Sequence, residues 1–305
     1  MHRQFDDLML GSVELFCLAG ELGGFTAAAT AAGVTPAAVS RSVARLEARL
    51  GVRLFVRSTR QIRLTDAGRI YMEQCRQALS QFADAERLAS GQQAQLSGRL
   101  RISVPTTYAH YRLLPMLPDF HREHPDVRFD LHISNRNIGF SDEAFDLAIR
   151  VRPQADSTLI LRHLEDAPLV LVATPAYLET HRVPRSLADL AAHECIQFDL
   201  PSSGRRIPWL FREEGEDVEF EAESAFTVSE DVLGGVTLAR AGAGLFQTYR
   251  FIVEKDLAEG SLVEVLPELA GRSRPYNLLY PHSRFVPPRV RAFIDFLTDR
   301  IAMKR

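Results

Sequence analysis

Residues 26–65 read T-A-A-A-T-A-A-G-V-T-P-A-A-V-S-R-S-V-A-R-L-E-A-R-L-G-V-R-L-F-V-R-S-T-R-Q-I-R-L-T. Thr26 is expected to cap a short helix over Ala27–Ala32, with Phe25 before it as an apolar staple. Gly33 supplies a tight turn. Thr35 then caps a second helix whose first position is Pro36, where the missing N–H costs nothing. Two short helices joined through a glycine turn form a helix-turn-helix. Val39, Val43, Leu46 and Leu50 recur at helical spacing as a buried stripe. Ser40, Arg41, Arg45 and Arg49 fall on the other faces. Leu54-Phe55-Val56 and Ile62-Arg63-Leu64 flank a polar loop, Arg57-Ser58-Thr59-Arg60-Gln61, and predict a two-stranded wing. From Pro36 to Thr65, Arg41, Arg45, Arg49, Arg53, Arg57, Arg60 and Arg63 face a single acid, Glu47. Such a basic stripe is the electrostatic footprint of a duplex-DNA reader. The bland alternative is a solvated Ala/Arg helix in some other bundle. Cap, turn, stripe and wing agree against it.

The order A-A-x-x-x-G-V-T-x-x-A-V-S-R-S-V-x-R-L-E-x-x-L-G-V-R-L-F-x-R, followed by R-L-T-x-A-G, resembles the DNA-binding half of LysR-type transcriptional regulators. The likeness is ungapped from about Phe16 to Gly68. It implies DNA contacts from Thr35, Ser40 and Arg41 on the second helix and from Arg57, Arg60 and Arg63 in the wing. The neighbouring Pro36, Ala37 and Arg45 complete the expected DNA-binding set. The family often carries Gln-Pro where this chain has Pro36-Ala37, so a glutamine that would touch a base is absent.

Working outward, the 305 residues suffice for two or three domains with real cores. The net charge of −3 argues against nucleic acid as a partner until its distribution is considered. The first 65 residues are net positive and the remainder holds the acidic excess, an asymmetry of DNA-binding proteins. No apolar run of membrane-spanning length occurs, and M-H-R-Q-F-D-D is not a signal peptide, so a cytoplasmic location without membrane partners is expected. Cys17, Cys75 and Cys195 are isolated in sequence, which indicates neither a disulfide framework nor a zinc site. Cys195 is read as a small buried residue, with redox sensing as the sharper alternative.

Asp6 or Asp7 is expected to cap a first helix to about Leu22, with Met9, Val13, Phe16 and Cys17 on one face. After the wing, Thr65-Asp66 opens a long helix from Ala67 to about Gln93. Its apolar positions, Ile70, Tyr71, Leu79, Phe82 and Leu88, are too sparse for a core, which predicts pairing with a second copy. The family likeness implies the same role. Ser90–Gln93 and Ser97-Gly98 read as a hinge.

From Arg99 strands alternate with helices, the pattern of a mostly parallel sheet flanked by helices. The expected elements are strands at Leu100–Val104 and Val127–Ile133, a helix over Tyr108–Glu123 and a strand region over Ala144–Val151. A second unit starts at Pro168–Ala173, with a helix near Ser186–Ala192, a strand at Cys195–Phe198 and a helix from Val232 to Ala241. Tyr276–Tyr280 then returns as a strand and a closing helix carries Val290, Phe293, Ile294, Leu297 and Ile301. L-L-P-x-L-x-x-F-x-x-x-H-P-D-V (Leu113–Val127), D-L-A-I-R (Asp146–Arg150) and A-T-P-A-Y-L (Ala173–Leu178) resemble, more loosely, the effector domain of the same family. That likeness implies a periplasmic-binding-protein fold. Gly242-Ala243-Gly244 matches a family Gly-x-Gly segment, but its downstream proline is replaced near Tyr249.

The expected fold is therefore an α+β multidomain chain. It has a winged helix-turn-helix at 1–65, a linker and dimerisation helix at 66–95, and a two-lobed α/β effector domain at 96–305. Lobe I comprises 99–167 and 268–305, and lobe II 168–267. Thr106 and Thr107 open a helix after the first strand, where free N–H groups favour an anion. Asn135 and Arg152 follow strand ends, where open α/β sheets bind ligands. Gln197 and Phe198 hold a similar place in lobe II, and Gln247 follows the glycine pair. Together they are the expected effector-binding set, suited to a small carboxylate. Each is as readily an ordinary loop or capping residue.

His121-x-x-His124 with His110 and His132 lacks a placed third ligand, so no metal and no cofactor are expected. No G-x-S-x-G, Walker A, H-E-x-x-H or strand-borne G-x-G-x-x-G occurs, so the chain is not expected to be an enzyme. The functional expectation is a LysR-type, sequence-specific transcription regulator. Its expected partners are double-stranded DNA at an interrupted palindrome, a small-molecule effector, further copies as a homodimer to homotetramer, and RNA polymerase if it activates. The alternative is a DNA-binding head fused to an enzyme-like or metal- or redox-sensing α/β domain.

Overall fold

Caps and apolar spacing shape the first ninety residues. In the computed structural model, α1 (Leu10–Leu22), α2 (Phe25–Ala32) and α3 (Pro36–Leu50) form a three-helix head. The structure describes residues 10–57, 62–89, 96–136, 145–151, 159–201, 203–282 and 286–303. The expected Asp6 or Asp7 cap, Met9 and the Ser90–Gln93 hinge lie outside them. Among the described residues no helix is long and apolar enough to cross a membrane. Residues up to 89 belong to one compact unit and those from 96 to another.

In the head, Thr35 caps α3 as expected, its hydroxyl accepting from Ala38 N at 3.2 Å. Gly33 closes α2 at φ +66°, a left-handed turn glycine adopts without strain. Thr26 does not cap α2. The helix starts two residues earlier than expected, at Phe25, with extended Gly24 at the cap, and the Thr26 carbonyl accepts from Thr30 Oγ1 at 3.1 Å. Val39, Val43 and Leu46 are buried with Val13, Phe16 and Cys17 of α1. Leu50 departs from the expected stripe and is 37% exposed, because α3 ends there at Gly51.

The wing is an antiparallel pair, β1 (Phe55–Arg57) and β2 (Ile62–Leu64), with Phe55 opposite Leu64. Helix α4 (Asp66–Ala89) follows, capped by Thr65 Oγ1, which accepts from Gly68 N at 2.9 Å. A Cβ on Gly68 would lie 2.0 Å from the Leu54 carbonyl oxygen, so only glycine lets α4 leave the wing this closely. Tyr71, Met72, Cys75 and Leu79 of α4 pack into the head core. Ile70 and Phe82 stay 68% and 52% exposed. The expected seam therefore splits between inward and outward faces, and the Leu88 side chain lies outside the description.

The second unit is built on one seven-stranded sheet. Its strands are β3 (Gly98–Val104), β4 (Val127–Ile133), β5 (Leu147–Arg150), β6 (Leu159–Ala173), β11 (Phe246–Tyr249), β12 (Val263–Val265) and β13 (Ser273–Pro281). Strand β3 pairs in parallel with β4 and β5, as strand-helix-strand alternation predicts. The rest of the sheet is antiparallel and corrects the mostly parallel expectation. β6 carries the chain out of lobe I and β13 brings it back, so these neighbours run in opposite directions. Residues Leu159–Pro168 of β6 pair with β13, and Leu169–Ala173 pair with β11 and β12. The expected strand at 168–173 is thus the second half of a 15-residue strand shared by both lobes.

The expected helix over Tyr108–Glu123 is helical but not one α-helix. It passes through a π turn (Ala109–Leu113) and a 3-10 turn (Leu114–Met116) before α5 (Leu117–Glu123). Pro115 and Pro118 lack N–H donors and crowd the preceding turn, which forces the changes of pitch. The helix expected near Ser186–Ala192 is a 3-10 segment, Ala188–Ala192. α6 (Pro175–His181), α7 (Val232–Arg240) and α8 (Arg250–Glu259) pack in lobe II, and α9 (Pro288–Ala302) closes lobe I with Val290, Phe293, Ile294, Leu297 and Ile301 buried. The parallel pair β7 (Gln197–Asp199) and β10 (Thr227–Ser229) and the hairpin β8 (Trp209–Glu213) and β9 (Glu216–Phe220) complete lobe II.

Candidate functional site

The head presents one polar face of α3. With Val39, Val43 and Leu46 turned inward, Thr35, Pro36, Ala37, Arg41 and Arg45 are exposed and Ser40 is half-buried. Arg45 Nη2 donates to Ser42 Oγ at 3.3 Å, which leans it along its own helix. Arg41 makes no ion pair among the described residues. Arg63 is exposed on β2. Arg60 and the Arg57 side chain lie outside the description. Arg53 and Arg57 carry neighbouring charge along the chain, but Arg53 is held by Glu47 at 3.2 Å. Glu47 is a residue whose role sequence reading missed. Its buried carboxylate accepts from Leu54 N at 2.8 Å and Phe55 N at 3.2 Å and so fixes the start of the wing against α3.

In the second unit the carboxyl ends of β3 and β5 and the lobe II loops enclose a cleft of about 1000 Å³. Thr107, Asn135 and Phe198 of the expected set line it. Thr107 is buried, and its hydroxyl lies 3.1 Å from the Tyr276 hydroxyl. Burial holds the Tyr276 phenol well above its ordinary range, so it stays a neutral hydroxyl on the wall. Asn135 Oδ1 accepts from Thr106 N at 3.1 Å, and Asn135 Nδ2 donates to the Glu230 carbonyl at 2.6 Å. Thr106 therefore supports Asn135 from behind and is not on the wall.

Two expected residues are placed elsewhere. Gln197 is fully buried, with Nε2 donating to the Cys195 carbonyl at 3.0 Å. Gln247 pairs through both amide atoms with the Leu210 main chain, each at 2.8 Å, and lines a smaller neighbouring recess. The Gln247 amide joins two strands, and the Gln197 amide turns back on its own segment. Arg152 lies outside the described residues.

Sequence reading missed most of the cationic lining: Arg150, Arg205, Arg206 and Arg274, opposed by Glu219 and Glu221. Arg150 is 5% exposed, and its guanidinium donates to Ser103 Oγ and to the Ile149 carbonyl, both at 2.7 Å. A signal was available, since Arg150 is a cation directly after the apolar run Leu147-Ala148-Ile149. Arg205-Arg206 likewise stand together after a Ser/Gly turn. Arg206 is steadied by the Ala222 carbonyl at 3.0 Å and Arg274 by the Pro208 carbonyl at 3.0 Å. Phe198, Ile207, Tyr249 and Tyr276 add apolar wall. A cleft with excess fixed guanidinium charge and aromatic sides suits an organic anion.

Comparison with known proteins agrees with both halves. Residues 10–69 match the family "Bacterial regulatory helix-turn-helix protein, lysR family". Residues 93–302 match the "LysR substrate binding domain". The "Probable HTH-type transcriptional regulator LtrA" of Klebsiella pneumoniae is 32% identical over 297 residues, spanning 96% of this chain and 95% of its own. The solved structure of CrgA, a LysR-type transcriptional regulator from Neisseria meningitidis, is 30% identical with a TM-score of 0.61, covering 95% of this chain and 98% of its own. The full-length Vibrio cholerae virulence activator AphB is 29% identical with a TM-score of 0.59, at 95% and 98% coverage.

Proposed function

The chain belongs to the LysR family of bacterial transcriptional regulators, and on that premise we propose how its two halves divide the work. It is a DNA-binding regulator with an effector domain. Thr35, Pro36, Ala37, Ser40, Arg41 and Arg45 read the major groove from α3, while Arg57, Arg60 and Arg63 hold the wing on phosphates. Two copies join through the exposed side of α4, marked by Ile70 and Phe82, and further pairing of effector domains gives a tetramer. Two-fold symmetry of the heads then calls for an interrupted palindrome.

The effector is a small organic anion, a carboxylate foremost, taken up between the lobes by Thr107, Asn135 and the flanking Arg150 and Arg152. Phe198 supplies an apolar side. The observation that carries this is the concentration of Arg150, Arg205, Arg206 and Arg274 on one cleft, met among the described lining residues by Glu219 and Glu221, with Arg206 also paired to Asp199 at 3.6 Å. Binding shifts the regulator only as far as the ligand prefers one lobe arrangement over another. A thermal-shift screen of organic acids tests this. A ligand at ~100 times its dissociation constant stabilises the fold by ~2.7 kcal/mol. Thr107→Val and Arg205→Ala are expected to remove that shift and to leave ligand-free operator binding unchanged. A hit to which both variants respond like wild type places the ligand elsewhere.

A further inference from the structure

The cleft has a side chamber. A recess of about 60 Å³, built almost wholly from lobe II, adjoins it, and Phe198, Ile207, Pro208, Val232, Tyr249 and Arg274 line both spaces. Its walls are held by the protein's own bonds. Ile207 N donates to the Phe198 carbonyl at 2.9 Å, and Gln247 clamps the Leu210 main chain through both amide atoms. The Phe246 ring is pressed against α7, where a Cβ on Gly235 would fall 2.4 Å from it. These contacts fix the shape of the recess before any ligand arrives.

The lining sorts what can enter. Phe198, Ile207, Trp209, Val232 and Phe246 make it apolar. Arg274 is the sole charged group among the described lining residues, and it is shared with the main cleft and tethered to the Pro208 carbonyl at 3.0 Å. The Gln247 amide is already engaged. Thr248 differs: it is 2% exposed, and its hydroxyl meets no hydrogen-bond partner among the described residues. A buried hydroxyl left in that state is destabilising, so a ligand group that bonds it gains affinity. A charged tip would instead lose its water with no countercharge beyond Arg274 to replace it. The volume admits about two water-sized groups, whereas a benzene ring needs a cavity of about 150 Å³.

We propose that the effector is a monocarboxylate with an apolar body and an uncharged polar tip, a terminal hydroxymethyl foremost, that enters this recess and hydrogen-bonds Thr248. This rests on the reading of the cleft as an organic-anion site and narrows it. The carboxylate stays among the guanidinium groups of the cleft. The body lies along Phe198 and Tyr249, which line both spaces, and the tip hydroxyl reaches Thr248 Oγ1. A dicarboxylate of the same length suits the arginines but not the recess. Thr248 and Val232 are then specificity-determining residues, the first for the chemistry of the tip and the second for the length of chain admitted.

Titration calorimetry on the full-length protein tests this with butyrate, hexanoate and octanoate, each beside its ω-hydroxy acid and its dicarboxylate. One chain length should stand out, and there the ω-hydroxy acid is expected to bind about tenfold tighter than either counterpart. Thr248→Val, which keeps the shape of the side chain, should abolish that preference and leave the alkyl acid nearly unaffected, while Thr248→Ser should restore it. Val232→Phe fills the recess and should move the optimum to a shorter acid, and Val232→Ala should move it to a longer one. Arg205→Ala should remove binding of all of them. If binding is lost in Arg205→Ala but the Thr248 and Val232 variants keep the wild-type preferences, the recess assignment is overturned and the anion cleft stands. A dicarboxylate preferred at every length has the same consequence. Acids that bind Arg205→Ala like wild type, or that do not bind at all, overturn both readings.

Discussion

Glu47 stands alone among seven arginines in sequence, yet it is the buried member of the group. An acid in a basic stripe reads as a solvated counter-charge, because no local signal reveals that two backbone N–H groups point at it. Glu47→Ala leaves the Leu54 and Phe55 donors buried and unpaired, and each orphaned donor costs about 1–3 kcal/mol. The expected outcome is a lower-melting head and an equal loss of binding to cognate and random duplex. A selective loss on the cognate site alone would contradict it. Glutamine retains one acceptor and should fall between the two proteins. Arg150 teaches the reverse lesson. The apolar run Leu147-Ala148-Ile149 ending in a cation was legible, but nothing local to it shows that the Arg150 guanidinium turns onto Ser103, 47 residues away in the chain.

Among the elements, α3 was readable almost whole, since cap, proline and stripe are local properties. If Arg41 reads a base edge, Arg41→Ala costs ~1–3 kcal/mol on the selected site and blurs preference at one position. Arg63→Ala in the wing should instead weaken all duplexes alike and lower the salt slope by about one. Retained selectivity in an Arg41→Ala binding-site selection would remove the assignment. Helix α4 was legible as a helix but not in its facing. Its apolar residues serve the head core through Tyr71 and Leu79 and leave Ile70 and Phe82 outside. Glutamate at both exposed positions should therefore give a folded monomer with much weaker operator binding. Sedimentation checks this, and a wild type already monomeric at micromolar concentration would defeat it.

At the scale of the whole effector unit, the lobes meet where Asn135 donates to the Glu230 carbonyl and Arg136 pairs with the Glu230 carboxylate at 2.8 Å. Glu230 sits at φ +66°, which a residue with a side chain rarely adopts. The ion pair is exposed and screened by solvent, so it is worth no more than a factor of about five in ligand affinity. Arg136→Ala should shift effector affinity within that factor and leave melting nearly unchanged, as calorimetry can measure; a loss beyond tenfold would mean that Arg136 touches ligand. Helix positions, the wing, the basic head and the alternation of strands and helices were determined by the sequence alone, because each rests on residues within a turn or two of one another. The pairing of β6 with β13 and the bulge at Tyr276/Asn277 were decided by the tertiary structure. So was the gathering of Arg150, Arg205, Arg206 and Arg274 on one wall. Those residues are up to 124 positions apart in the chain. Only the crossing of long strands between two lobes brings such distant groups within reach of one ligand, and strand register over that separation is set by packing rather than by any local pattern.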